Sequence, residues 1–598
     1  MRVSSFSPQP QSSVHPAQSS TSAPDSSIRE APVFRPFSAQ AFSEAHARRV
    51  PVFLIISNTL DSLPDDSTLS MQLLEHTVPV RLLPGERPDV ELLCQRAGVL
   101  FSDEGAMPLC ALLLDDTRPF LAAPLPPEGF PLDPLRLYAW LSHAGRRFSQ
   151  NAPAFITHAD QVIRSFKVPP LKKPYSPDDA AHDLNRALQS IHDSVNQGFG
   201  QVKSPFVCAL RFLQHEAARG DKTAHSSLSR TLDVMLASAL YDPIDGAFFR
   251  TTLTEDWRVF VPEKPLGVNA MLALCLLASG RRSEAIQLLD FIVEAFTLPG
   301  GSLSPMLRAP KTIYSFSPDQ VCAALGSEDG LRVCRLLSLL HQHAREDPEV
   351  TPSRFAPLPP ERPIRRLSMD LPARYPTAPA ACTPEDAAFL RRTLPVLKRA
   401  RAARNPQQPA SHIVTEHCAL AAAVLALCGR RLGEPRYIQS AQRAVSFLIG
   451  QPPAMTGFAP LPASVYPVSM LHAQATCGAA AALALAQLIL GQGEGMEEYA
   501  LSGLRLLGAA LHAFVRRDGV VMHTPDDPAA FFPRVPAVFD SELPSPAALL
   551  IHALRMADQL RPQAGYADAM QTIWEAAAPA VHAQPLSCAA LIDAMTEK

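Results

Sequence analysis

The stretch VTEHCALAAAVLALC (414–428), GRRLGEP (429–435), YIQSAQRAVSFLI (437–449) decides how the larger part of this chain is read. Its first third is apolar nearly all round, as a helix buried on every side must be. A Gly- and Pro-bearing turn follows, and the last third keeps one apolar stripe: Ile438, Ala441, Val445 and Leu448 recur at helical spacing. Such a hairpin offers one helix to an interior and the other to a surface. The pattern returns at 264–279 with 284–296, at 474–490 with 496–511, and at 545–560 with 566–577, each pair joined by a turn containing glycine or arginine. Further helices are expected near 180–195, 204–218, 226–240, 317–343 and 384–403. Together they suffice for six hairpins, and the unequal spacing between units and the long inserts count against the rival, an open superhelix of TPR or HEAT type.

Upstream the period changes. SAQAFSEAHARR (38–49) reads as a short amphipathic helix, and PVFLII (51–56) as a buried strand. A helix over 67–76, a strand over 77–83, a helix over 89–97 and strands over 109–114 and 118–122 follow. This alternation predicts an α/β layer. The expected organisation is a disordered Ser/Pro-rich tail (1–30), an α/β domain (31–130), a Pro-rich linker (131–178) and a helical ring (179–598) with a Pro-rich insert near 345–383.

Bulk composition narrows the function classes. In 598 residues, 47% are hydrophobic, 19% are charged and the formal net charge is −3. That charge supplies no basic field for a phosphate backbone, so nucleic acid is not an expected partner. No unbroken apolar run is long enough for a bilayer, and no signal-like apolar stretch opens the chain, so a cytoplasmic protein without membrane partners is expected. The 11 cysteines are scattered without a Cys-x-x-Cys pair and read as buried thiols. No HExxH, Cys/His cluster, P-loop or GxGxxG motif is present, so neither metal nor cofactor is expected.

Particular motifs carry a resemblance. AQAFSEA, VPVFLIISNTLDSLPDDS, GERPD, GAMPLCALLL and DDTRPF resemble, in order, the EAF-x-A-K, KPIFLSIGYSTCHWCHVM, EERPD, GGWPLTVFL and PDGKPF stretches of the YyaL-type, spermatogenesis-associated thioredoxin-like family. Further on, GFG (198–200) with KSP (203–205), YDPIDGAFFR (241–250) with Trp257, Glu263-Lys264 with Asn269, and FDSELPS (539–545) resemble that family's GGFG-x-x-PKFP, YDQLGGGFHRY…W, PHFEKMLYDNA and YDGATPS. The resemblance implies a thioredoxin-like domain followed by an (α/α)6 toroid of the six-hairpin glycosidase and sugar-epimerase type. It implies a cis peptide at Pro108. It also implies a loss: Asp61-Ser62-Leu63-Pro64 stands where the family has its Cys-x-x-Cys, and dithiol exchange needs two sulfurs.

Several polar positions of the resemblance are apolar here, among them Val261, Val268 and Ala547. Its matched acids are Asp242, Glu263 and Asp540, the candidate catalytic carboxylates, and Lys203, Asp245, Lys264 and Asn269 are candidate binding residues. Each has a plainer reading: Asp242 and Asp245 as turn residues, Glu263 as a helix-dipole charge, Asp540 as a cap. His417, His472 and His523 are expected at inner-helix ends or in a loop, where they either face a cavity or satisfy local structure. The leading expectation is a redox-inactive binding or scaffold protein. The alternative is a carbohydrate-active enzyme working in the toroid, whose partner is a small carbohydrate-like molecule rather than a protein.

Overall fold

The computed structural model describes residues 34–57, 73–102, 107–126, 133–339, 375–378, 382–451, 464–465, 476–526 and 532–597, except 168, 201, 405 and 411. The tail 1–30, the loop Asp61–Pro64, His472 and nearly all of the 345–383 insert lie outside the described residues.

The first part is a five-stranded mixed sheet built from β1 (Arg35–Pro36), β2 (Val52–Ile56), β3 (Val78–Leu82), β4 (Leu109–Leu113) and β5 (Pro119–Pro124). Strand order is β1-β3-β2-β4-β5; the first three strands are mutually parallel, and β4 runs antiparallel to both of its neighbours, β2 and β5. Every residue of β2 and β4 is buried, because both faces are covered. On one face, Val52, Leu54, Ile56, Leu109 and Ala111 meet Phe42 and Ala45 of α1 (Ala39–Arg48) and Val90, Leu93 and Ala97 of α2 (Pro88–Ser102). On the other, Phe53, Ile55, Leu112 and Phe120 meet Leu137 and Leu141 of α3 (Pro134–Gln150) and Ala159 of α4 (Ala152–Arg164).

Those last two helices correct the reading of 131–178 as a linker. Pro134 and Pro153 sit in the first turns of α3 and α4, where a missing N–H leaves no hydrogen bond unmade. Proline there starts helices instead of breaking them. The expected helix over 317–343 is likewise two, α10 (Pro318–Leu325) and α11 (Ser327–Leu336), because Gly326 turns the chain at φ 84°.

The second part is a double ring. Its inner helices are α6 (Val207–Ala218), α8 (Leu266–Ala278), α13 (Thr415–Leu432), α15 (Cys477–Leu490), α17 (Pro546–Leu560) and α19 (Ala589–Thr596). Each packs on the next, and α19 packs back on α6, which closes the circle. Outside them lie α5 (Pro177–Ile191), α7 (Lys222–Ala237), α9 (Arg282–Ala295), α14 (Pro435–Ile449), α16 (Glu497–Phe514) and α18 (Tyr566–Ala583). Every outer helix except α5 pairs with the inner helix just before it in the chain, while α5 pairs with α19. Among the described residues this is an (α/α)6 toroid. The burial follows from composition: all of α15 is buried, whereas α14 buries Tyr437, Ala441, Ala444, Val445 and Leu448 along one stripe. A further helix, α12 (Pro384–Arg404), lies against α10 and α11. Among the described residues no helix is long and apolar enough to cross a membrane.

The sheet domain meets the ring at specific points. Gly85, at φ +82°, brings its backbone so near Val414 that a Cβ would lie 2.8 Å from a valine methyl, so only glycine fits. The Pro84 carbonyl lies 3.1 Å from Nε2 of His412, and Arg96 donates to Oε1 of Gln584 at 3.4 Å.

Candidate functional site

A cavity of about 1160 Å³ lies between the sheet domain and one mouth of the ring. The first turns of the inner helices open onto it: Val207 and Cys208 of α6, Glu416 and His417 of α13, Pro546 of α17 and Ala589 of α19 all line its wall. Glu263 and Pro265, just before α8, also line it, as does His523, whose carbonyl receives the N–H of Cys477 at the start of α15. Helix N-termini gathered at one wall give it a partial positive charge. Across the cavity, the sheet domain supplies Ser57, Pro84, Gly85, Pro108 and one face of α2. The Met107–Pro108 peptide is cis, as expected.

Ionisable groups gather here under strong desolvation. Burial pushes the Glu91 carboxyl up to about 8, although the Gly85 N–H donates to it at 2.5 Å. Glu416 rises to about 7 through burial alone. Its carboxylate lies directly over Gly478 of α15: a Cβ on that glycine would fall 1.9 Å from Oε2. Asp540 also rises to about 7 by burial, against the backbone N–H groups of Ala590 (2.8 Å) and Ser545 (2.9 Å) that donate to its two oxygens. His417 falls to about 4, first from burial and then from the charge of Arg250. His523 falls to about 4 from burial, which the attraction of Asp89 only partly offsets. The imidazoles are therefore neutral at pH 7, whereas Glu416 and Asp540 stand near half protonation. Neither ring nitrogen of His523, nor Nδ1 of His417, has a hydrogen-bond partner among the described residues.

One fixed cation completes the wall. Arg250 donates to Glu263 through Nε at 2.7 Å and pairs with Glu542 through Nη1. Those two carboxylates outweigh its burial and hold the guanidinium charged.

Two of the three sequence candidates for acids, Glu263 and Asp540, thus reach the cavity, and the third does not. Asp242 is buried in a separate ionic cluster, accepting from Lys264 Nζ at 2.7 Å and from Arg401 at 2.6 and 3.2 Å. Burial alone would raise its pKa, but the two cations hold the carboxyl well below the usual range. Asp245 accepts from the same lysine at 2.5 Å and from Gln407 at 2.6 Å. Lys264 Nζ also sits about 5 Å from the ring centres of Phe249 (5.0 Å), Phe291 (5.0 Å) and Tyr314 (4.9 Å).

The remaining candidate binding residues hold the fold. Lys203 donates to Asp193 and to the Gly200 carbonyl, both at 2.8 Å, under the Trp257 ring. Asn269 accepts from the Phe248 N–H at 2.8 Å and donates to the carbonyls of Phe248 and Pro265 at 3.0 and 2.8 Å. None of Lys203, Asp242, Asp245, Lys264 or Asn269 lines the cavity.

Sequence reasoning passed over Glu91, Arg250, His412 and Glu416. A signal existed for two of them. Thr415-Glu416-His417 is a polar triplet opening an otherwise apolar helix, and Glu91 falls on one helical face with Pro88, Leu92, Gln95 and Val99. Among the described residues no group of three or more His, Cys, Asp or Glu could hold a metal ion.

No known family model matches this chain. A Caenorhabditis elegans protein, "Uncharacterized protein B0495.5", is 25% identical over 263 residues, which cover 39% of this chain. The match spans about a third (34%) of that relative's length. Similar solved structures include a D-mannose isomerase, at 9% identity and a TM-score of 0.40, covering 67% of this chain and 85% of that one. The cellobiose 2-epimerase of Bacillus thermoamylovorans B4167 is similar at 7% identity and a TM-score of 0.40, covering 67% of this chain and 87% of that one.

Proposed function

We propose that the cavity at the ring mouth takes a small polyhydroxylated, carbohydrate-like molecule and moves a proton on it, as an isomerase or epimerase does. One observation carries this reading. His417 and His523, whose rings carry buried nitrogens without a hydrogen-bond partner among the described residues, line the same cavity as the buried carboxyl of Glu416. Withdrawing a proton from the carbon beside a carbonyl and returning it on the same face, as a 1,2-isomerase does, takes one group that both accepts and gives a proton at the working pH; inversion at that carbon takes a second such group on the opposite face. Glu416 fits that task, since burial brings it to about 7. His417 and His523 suit the binding of hydroxyls, and Arg250 would face negative charge developing on the carbonyl oxygen. Glu263 anchors Arg250, and Asp540, bonded to two backbone amides, positions the starts of α17 and α19.

In this reading the sheet domain is a cover. Its strand order and the motifs along it support descent from a thioredoxin-like scaffold, and Asp61–Pro64 leaves that scaffold without its dithiol. The reading of the chain as a binding protein without turnover is favoured by Asp242, a matched acid locked between Lys264 and Arg401.

Incubating the protein with a panel of aldoses and ketoses in D₂O, followed by NMR, decides between them. Deuterium entering at the carbon beside the carbonyl, and slowed about 100-fold or more in Glu416→Gln, is the expected result. Ligand-induced thermal stabilisation without exchange favours the binding protein. Neither exchange nor stabilisation with any sugar overturns the carbohydrate reading.

A further inference from the structure

The cavity is not uniformly polar, and its polarity changes along one helix. Residues 88, 91, 92, 95 and 99 of α2 all line it, which is a single helical face. At its inner end stands Glu91, close enough to Glu416 for their charges to interact. At its outer end Val99 is 49% exposed. Val202 and Phe206 also line the cavity and are 57% and 37% exposed. Large apolar side chains standing in water along the lining of one cavity mark a surface made to be covered. From residue 91 to residue 99, eight residues at ~1.5 Å each give about 12 Å of wall, roughly twice the span of one sugar ring.

We propose that the ligand is amphipathic: a sugar-like head held among Glu416, His417 and His523, carrying an apolar alkyl or aryl substituent that lies between Val99, Val202 and Phe206. This rests on the carbohydrate reading of the inner end and adds a second subsite to it. A second sugar in that place would call for flat aromatic platforms and hydrogen-bonding groups. Phe206 and Phe539 are aromatic, but no Trp or Tyr lines the cavity among the described residues, and Leu92, Met107 and Pro126 continue the apolar lining. The indole N–H groups of Trp257 and Trp574 are already given to the carbonyls of Asn196 and Tyr175 at 2.9 and 2.8 Å.

Calorimetric titration of the full chain with free hexose and with methyl, butyl, hexyl and octyl glycosides tests the proposal, using glucose, mannose and galactose series below their micellar concentrations. Affinity is expected to rise about fourfold for each buried methylene over roughly the first four to six carbons, then to level off. Val99→Gln with Phe206→Asn is expected to abolish that rise and leave free hexose unaffected. Asn suits position 206, where φ is 50°. Equal affinity for methyl and octyl glycosides overturns the subsite and leaves the carbohydrate reading standing. So does a preference for cellobiose over hexyl glucoside, whereas hexan-1-ol binding as tightly as hexyl glucoside shows that the sugar head contributes nothing and overturns the amphipathic ligand together with the carbohydrate reading. No binding by any sugar, alkylated or free, overturns both.

Discussion

Replacing Glu91 by glutamine removes one charge from the cavity wall while keeping an oxygen for the Gly85 N–H. The native carboxyl is lifted from 4.5 to about 8, chiefly by burial. Burial disfavours the carboxylate, so the folded chain holds this proton more tightly than the unfolded chain does. The stabilising effect is therefore complete below pH 4.5 and is lost as pH rises through 8. At ~1.4 kcal/mol per tenfold change in proton affinity the full loss is about 5 kcal/mol. Water entering the cavity relaxes the charge, which brings the expected loss nearer 2 kcal/mol. Urea unfolding followed by circular dichroism at pH 5, 7 and 9 measures it. Wild type and Glu91→Gln should coincide at pH 5, and the variant should be the more stable by about 2 kcal/mol at pH 9. Glu416 and Asp540 titrate in the same direction in both proteins, so the difference between them isolates residue 91. A gap that stays constant across pH, or a variant weaker at pH 9, would refute the argument, since the carboxylate would then have a compensating cation.

Other outcomes follow from single contacts. Gly478→Ala would set a methyl 1.9 Å from Glu416 Oε2, so the carboxyl must leave its place; we expect about 1–3 kcal/mol of destabilisation in urea, with proton exchange lost as in Glu416→Gln. Lys264→Met leaves two buried aspartates sharing Arg401 and should cost about 3–5 kcal/mol, part of it recovered by adding Asp242→Asn. Iodoacetamide on the native chain should label Cys382 first, the exposed thiol among otherwise buried or half-buried ones. Mass spectrometry without reductant should find no disulfide, and a reversible one would restore the redox reading.

How far the sequence reveals this molecule differs between its layers. The helical hairpins were legible because a fully buried helix and a half-buried one differ in apolar pattern, as 414–428 and 437–449 do. Strands β2 to β5 were legible as short apolar runs between polar breaks. Proline content misled at 134–164, because its meaning depends on whether it falls in a first turn or an interior one. The site was harder. A buried ion pair and a ligand-binding charge use the same residue types, so Lys264 and Asp242 could not be told from Glu263 until their neighbours were placed. Glu91 and Glu416 lie 325 positions apart, and only the docking of the sheet domain on the ring brings them together. Resemblance pointed to Asp540, whose carboxyl burial does raise, whereas Glu91 stands two residues past the GERPD motif and Glu416, His417 and His523 stand outside the matched motifs.

The ring closes through a pair of helices from opposite ends of its own chain segment: α19 packs on α5 and α6, and Asp593 meets Nδ1 of His215 at 2.5 Å across 378 positions. The toroid is thus a bracelet with a single clasp, and every other hairpin could form from neighbours in sequence while this one waits for the last. Opening that clasp would splay α6 from α19, two of the six walls of the chamber, so the enclosure of the site depends on the joint whose partners lie farthest apart along the ring's chain.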